Sequence, residues 1–176
     1  MKTSVVLIGF MGTGKTAVGR VLAERLSKKF VDLDELIEKK SGKSITQIFR
    51  DGEIAFREME IAIVKEISNG KNQIISTGGG VVLNQINIDR LKQDSFIVLL
   101  TASPSVMMKR TSVNNNRPLL VNRDRLHNIR ELLKFRQPFY KRAADFTINT
   151  NRLTVEAIAG QIIDTLRHNE SFDFKK

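Results

Sequence analysis

Gly9-Phe10-Met11-Gly12-Thr13-Gly14-Lys15-Thr16 fits the phosphate-cradling pattern G-x-x-x-x-G-K-[ST]. It follows the apolar run Ser4-Val5-Val6-Leu7-Ile8, which reads as a buried strand. It precedes Ala17 to Leu26, where apolar residues at 18, 21, 22 and 26 read as one face of a helix. Strand, glycine loop and helix in that order are the context the motif needs. Glycines let backbone N–H groups turn onto phosphate oxygens, and the helix N-terminus adds a positive dipole. Lys15 is placed to reach the β- and γ-phosphates, and the Thr16 hydroxyl to ligate Mg²⁺. The competing reading, a tight turn with a chance lysine, would need both flanks to be right by accident.

The same alternation continues down the chain. Strand-like runs at Phe30–Leu33, Gln73–Thr77, Phe96–Thr101 and Asp145–Asn149 are separated by helical stretches. That pattern predicts an α/β fold, a parallel sheet covered on both faces, with ligands at the carboxyl ends of the strands. Ser44 is placed to cap a helix running to about Ser68, and Gly52 is a weak point that can split it. A long helical pattern runs from Arg123 to about Ala144, with Pro138 expected to kink it. Thr154 caps a last helix, and the polar tail from His168 to Lys176 is expected to fray.

The chain has 176 residues, enough for one domain with a real core and too few for two comfortable ones. It lacks cysteine, which excludes a disulfide framework and a thiolate metal site and agrees with a cytoplasmic protein. His127 and His168 lack ligand spacing and read as surface residues. The apolar run after Lys2 is too short for a secretory signal and leads straight into Gly-Lys-Thr. No segment approaches the about 20 apolar residues of a membrane span. The formal charge of +10 could serve nucleic acid, but no dense basic block stands in the sequence. Arginines sit singly instead, at 57, 110, 117 and 136, which favours a cleft that collects anionic small molecules.

Further clusters sit at the predicted sheet edge. In Val31-Asp32-Leu33-Asp34, alternation along a strand would put both aspartates on one face, Asp32 for metal and Asp34 for a phosphoryl-accepting hydroxyl. Taken alone, an acidic turn capping the next helix explains the pair equally well. Arg57 and Glu60, three apart on a helix, can pair. Gly78-Gly79-Gly80 strips side chains from one stretch of backbone, so that a ligand can approach closely, unless the run is simply a flexible strand-to-helix turn. The polar stretch Arg110 to Arg125 suits a lid over phosphates, with Arg117 placed to neutralise the transferring group. Arg136 falls on the inward stripe 126, 129, 133, 136, 140, where a buried arginine wants a carboxylate partner. That partner is either an internal acid or a substrate acid.

Together, G-F-M-G-T-G-K-T, L-D-E-L-I, G-E-x-x-F-R-x-x-E, G-G-G, R-P-L-L and R-Q-P-F-Y-K-R-A-A-D, over roughly residues 4 to 167, resemble the shikimate kinase family. The resemblance implies a three-layer P-loop kinase fold in one domain, residues 1–176, with a five-stranded parallel sheet ordered 2-3-1-4-5. It implies a substrate-binding segment near 34–60 and a mobile lid near 111–124. It implies ATP-dependent phosphorylation of the 3-hydroxyl of shikimate, with Mg²⁺, on the route to the aromatic amino acids. By the same resemblance Gly12, Thr13, Gly14, Lys15, Thr16 and Ala17 hold ATP, and Arg110 and Arg152 flank adenine. Lys15, Asp34 and Arg117 serve catalysis. Asp34, Arg57, Gly78, Gly79, Gly80 and Arg136 bind shikimate, Glu60 orients Arg57, and Thr16 and Asp32 serve the metal. The expected partner is the small molecule alone, with no nucleic acid or membrane, and the expected state is a monomer.

Overall fold

The structure, a computed structural model, describes residues 1–111 and 124–174. Five parallel strands run β1 (Ser4–Ile8), β2 (Lys29–Asp32), β3 (Gln73–Ser76), β4 (Ser95–Thr101) and β5 (Phe146–Asn149), in the spatial order β2-β3-β1-β4-β5. Register fixes the carboxyl edge: Leu7 of β1 pairs with Ser76, and Ser76 pairs with Asp32. β1 is the pivot, because the chain leaves it first toward β2 and later crosses to β4. The crevice outside β1 and β3 is therefore the topological switch point where open parallel sheets bind ligands.

Strand alternation splits the apolar residues between two cores. Val5 and Leu7 face a layer formed by α1 (Lys15–Leu26) and α8 (Val155–Arg167), packed with Val18, Leu22, Ile158 and Ile162. Val6 and Ile8 face the other layer, with Leu33, Ile37, Val64, Leu91 and Ile129. That layer holds α2 (Leu33–Ser41), α3 (Ile45–Asp51), α4 (Glu53–Ile67), α5 (Gln85–Lys92), α6 (Pro104–Thr111) and α7 (Arg125–Ala143). Burial on both faces explains why the inner strands β1, β3 and β4 read as continuous runs rather than alternating ones.

Gly52, with φ of 120°, divides the helical stretch after Ser44 into α3 and α4. Ser44 caps α3 through a reciprocal capping box with Gln47. Pro138 lies inside α7. Two expectations are corrected. Asp34 is not an extension of β2: the strand stops at Asp32, and Asp34 lies in the first turn of α2. The tail does not fray where it is described: Phe172 is buried and pairs with Lys2 in an isolated parallel bridge. Its ring is also roofed by Lys28 Nζ at 5.6 Å. Composition hid this, because one of the two phenylalanines in a polar segment was enough to anchor it against the first core. The expected lid and Arg117 lie outside the described residues.

Candidate active site

The phosphate loop joins β1 to α1. Gly12 and Gly14 have φ of 78° and 95°, left-handed values that L side chains rarely adopt. Gly14 precedes the helix without a side-chain cap, so the first N–H groups of α1 have no side chain competing for them. Thr13 Oγ1 donates to the Phe10 carbonyl at 2.8 Å and braces the loop from within. Lys15 is buried, and its Nζ donates to the carbonyls of Gly9 (2.9 Å) and Phe10 (3.0 Å). A cationic group held over the loop in this way can exchange carbonyl oxygens for phosphate oxygens. A cleft of about 280 Å³ opens above it, lined by Gly12, Gly14, Lys15, Thr16, Ala17, Asp32, Asp34, Ser76, Thr77, Gly79 and Arg110. Arg110 is fixed from below: its guanidinium donates to the Thr150 hydroxyl (3.0 Å) and carbonyl (2.9 Å) and to the Gly12 carbonyl (3.3 Å). Arg152 is exposed in the turn two residues beyond Thr150 and does not line the cleft.

Asp32 divides its two oxygens. Oδ1 accepts from the Asp34 and Glu35 N–H groups at 3.1 and 3.3 Å and caps α2. Oδ2 accepts from Thr16 Oγ1 at 2.9 Å. The capping role and the site role, alternatives in the sequence, are thus both met by one side chain, and the cap sets which oxygen faces Thr16. Ser76 Oγ lies 3.3 Å from Thr16 Oγ1, a third oxygen that sequence reading did not single out. Its signal was present: a polar residue ending a buried apolar strand at the sheet's carboxyl edge. Among the described residues no group of three or more histidine, cysteine or acidic side chains could hold a metal alone. A hydroxyl and one carboxylate oxygen, both hard donors, fit Mg²⁺, which keeps waters and takes the rest of its shell from phosphates.

The three glycines do separate work. A Cβ on Gly78 would lie 2.8 Å from Asp34 Oδ1, and one on Gly80 2.3 Å from Arg57 Nη2. Gly79 lies between the phosphate loop and α7, its Cβ position 3.6 Å from the Gly9 carbonyl and from Arg136 Nη1. The run thus brings Asp34, Arg57 and Arg136 together beside the phosphate loop. Arg57 Nη1 donates to Glu60 Oε2 at 3.0 Å, and Nε and Nη2 donate to Glu53 Oε1. Glu53 was not anticipated, although its position one turn before Arg57 on α4 is the favourable i, i+4 order. Arg136 is buried, with Phe10 beneath it at 5.7 Å.

Glu60 is fully buried, and burial pushes its carboxyl up to about 6. The neighbouring Arg57 and Arg136 guanidiniums oppose that shift, and Asp34 adds to it. Arg57 is paired with Glu53 and Glu60, whereas no ion pair of Arg136 with an acid is present among the described residues, which leaves its charge for a substrate carboxylate. Tyr140 was read only as part of an apolar stripe; in the structure its hydroxyl donates to the Gly79 carbonyl.

Comparison with known proteins agrees with this geometry. The family model for shikimate kinase matches residues 11–167. A shikimate kinase of Pelotomaculum thermopropionicum is 46% identical over 168 residues, covering 94% of this chain and 97% of that protein. One of Thermodesulfovibrio yellowstonii is 48% identical over 161 residues, covering 91% and 92%. The solved structure of shikimate kinase from Acinetobacter baumannii in complex with shikimate superposes with a TM-score of 0.93 at 37% identity, covering 97% of this chain and 96% of that one. The chain belongs to the shikimate kinase family.

Proposed function

We propose that this chain transfers the γ-phosphoryl group of ATP to the 3-hydroxyl of shikimate, giving shikimate 3-phosphate and ADP. The observation that carries the reading is the glycine run, which sets Asp34, Arg57 and Arg136 around one point next to the phosphate loop. Arg57 and Arg136 clamp the substrate carboxylate. Asp34 accepts the hydrogen bond of the reacting hydroxyl and aims its oxygen at the γ-phosphorus. That oxygen forms the new P–O bond as the bond to the β–γ bridging oxygen breaks. The electron pair leaves with ADP, and the hydroxyl proton passes to the Asp34 carboxylate and on to water. The loop amides, Lys15 and Arg117 neutralise the phosphoryl charge, and Arg110 and Arg152 flank the adenine.

Thr16 and Asp32 hold Mg²⁺, with Ser76 beside them. Held there, the ion would supply positive charge to offset the charge that develops on the phosphates during transfer. Phosphoryl transfer depends mainly on position and charge, so one orienting carboxylate suffices. The same reading makes the protein a cytoplasmic monomer whose cationic excess serves anionic small molecules rather than nucleic acid or membrane. Among the described residues, no helix is long and apolar enough to cross a membrane.

The test is ADP release coupled to NADH oxidation, with ATP, Mg²⁺ and candidate acids. Turnover with shikimate supports the reading. Turnover with gluconate and none with shikimate overturns it.

A further inference from the structure

Arg136 is the more deeply buried arm of the carboxylate clamp, at 4% exposure, and its Nε carries no hydrogen bond among the described residues. A guanidinium on a long side chain loses its aim unless something fixes it. Phe10 supplies a ring face at 5.7 Å, which attracts the cation but sets no hydrogen-bond direction. Tyr140 lies one turn further along α7 and is 2% exposed. The positive charge of the Arg136 guanidinium acts on the Tyr140 oxygen. The Tyr140 hydroxyl in turn donates to the Gly79 carbonyl. Burial holds its proton on up to about pH 12, so the hydroxyl is a donor throughout the working range.

The carbonyl of Gly79 and the N–H of Gly80 lie on opposite edges of one planar peptide, and the chain contains no cis peptide bond among the described residues. Fixing the carbonyl therefore fixes the direction of that N–H. Gly80 packs against Arg57, the other arm of the clamp, while Gly79 packs toward Arg136. One phenol thus holds the peptide that lies between the two arms.

We infer that Tyr140 is a positioning residue for the acidic substrate, holding the Gly79–Gly80 peptide in place between the Arg136 and Arg57 guanidiniums. This rests on the shikimate reading above. Removing the hydroxyl takes a donor from the Gly79 carbonyl while keeping the ring that fills the core. The loss falls on recognition of the carboxylate, not on ATP or on the transfer step.

Tyr140 is the sole tyrosine of the chain, and the chain has no tryptophan. Protein grown with 3-fluorotyrosine therefore gives a single ¹⁹F resonance, reporting position 140 in the otherwise native sequence. We expect saturating shikimate to shift that resonance and ATP alone to leave it in place. In steady-state assays Tyr140→Phe raises the shikimate KM at least tenfold, with kcat within about threefold and the ATP KM within about twofold. The factor by which wild-type protein prefers shikimate to its carboxamide shrinks in the variant. Tyr140→Phe with wild-type kinetics, or with equal losses toward ATP and shikimate, overturns the inference. If the variant does not fold, the ¹⁹F titration decides: a shifted resonance supports the inference, and an unmoved one in an active enzyme overturns it. Wild-type protein inert toward shikimate overturns the shikimate reading itself, and this inference with it.

Discussion

Gly80→Ala isolates the carboxylate clamp, because the change adds one methyl group and strains nothing else. Gly80 has φ of −103° and ψ of 0°, a conformation open to L-residues. The new Cβ would lie 2.3, 2.6 and 2.7 Å from Nη2, Nη1 and Cζ of Arg57. Ordinary contact needs about 3.5 Å or more, so the guanidinium must withdraw by about 1 Å. The crowded atoms end a flexible side chain, so the fold yields there and the melting temperature moves by only a few degrees.

A shift of that size is enough to break the 3.0 Å bond to Glu60 and to take Arg57 off its line to the substrate. A hydrogen bond to a charged group is worth about 1.5–3 kcal/mol. At about 1.4 kcal/mol per decade, the shikimate KM rises about 10- to 100-fold. The assay is steady-state kinetics with shikimate varied at saturating ATP and Mg²⁺, beside thermal melting. The neighbouring glycines are internal controls. Gly79→Ala places its Cβ no closer than 3.6 Å to any heavy atom, so KM stays within about threefold. Gly78→Ala crowds Asp34 Oδ1 at 2.8 Å, so kcat falls as well. A folded Gly80→Ala variant with wild-type KM, or a Gly79→Ala variant equally impaired, would refute the reasoning.

Lys15→Ala should lower kcat by about 10²-fold or more, the scale of losing one charge-stabilising donor, while the protein still melts cooperatively; wild-type turnover in the folded variant would contradict the phosphate assignment. Glu60 gives a pH dependence of definite sign. Its folded pKa of about 6 exceeds the ordinary 4.5, so stability from this group is present below about pH 4.5 and lost as pH rises through 6, on the order of 2 kcal/mol in all. Activity runs the other way: below about pH 6 the charge pair with Arg57 is lost and the shikimate KM rises. Glu60→Gln should flatten both trends between pH 5 and 7, and an unchanged inflection in either would assign it to another group. Phe172→Ala should cost about 3 kcal/mol or more and lower Tm by roughly 6–12 °C, with shikimate KM unchanged, because the tail packs beside Lys2 at the amino ends of the strands, away from the cleft at their carboxyl edge. A Tm within 2 °C of wild type would mean the tail is not anchored there.

Much of the site was legible because its chemistry is local in the chain. The glycine loop, its strand and its helix are consecutive, so spacing alone places Lys15 and Thr16. The inward stripe of α7 placed Arg136 in the interior, since helical period decides facing without knowledge of the fold. What spacing could not give was contact between distant segments. The end of β2 turned on Asp32 taking the cap of α2, a choice made by two backbone N–H groups and not by alternation. Ser76 and Thr16 meet only because β3 lies beside β1 in the sheet. Glycine spacing could announce a close approach at residues 78–80, but not that Asp34 and Arg57 are what approach. Phe172 was missed because a single buried ring outweighs the polarity of its neighbours.

The central claim is that a carboxylate-bearing alcohol and the terminal phosphate of ATP meet over Gly78–Gly80. A crystal structure with shikimate and a non-hydrolysable ATP analogue tests it most directly. The account predicts the carboxylate within hydrogen-bond distance of both Arg57 and Arg136, the 3-hydroxyl on Asp34, and the γ-phosphate analogue at Lys15. Shikimate seated away from the two arginines, or the phosphates outside the loop of Gly9 to Thr16, would contradict it.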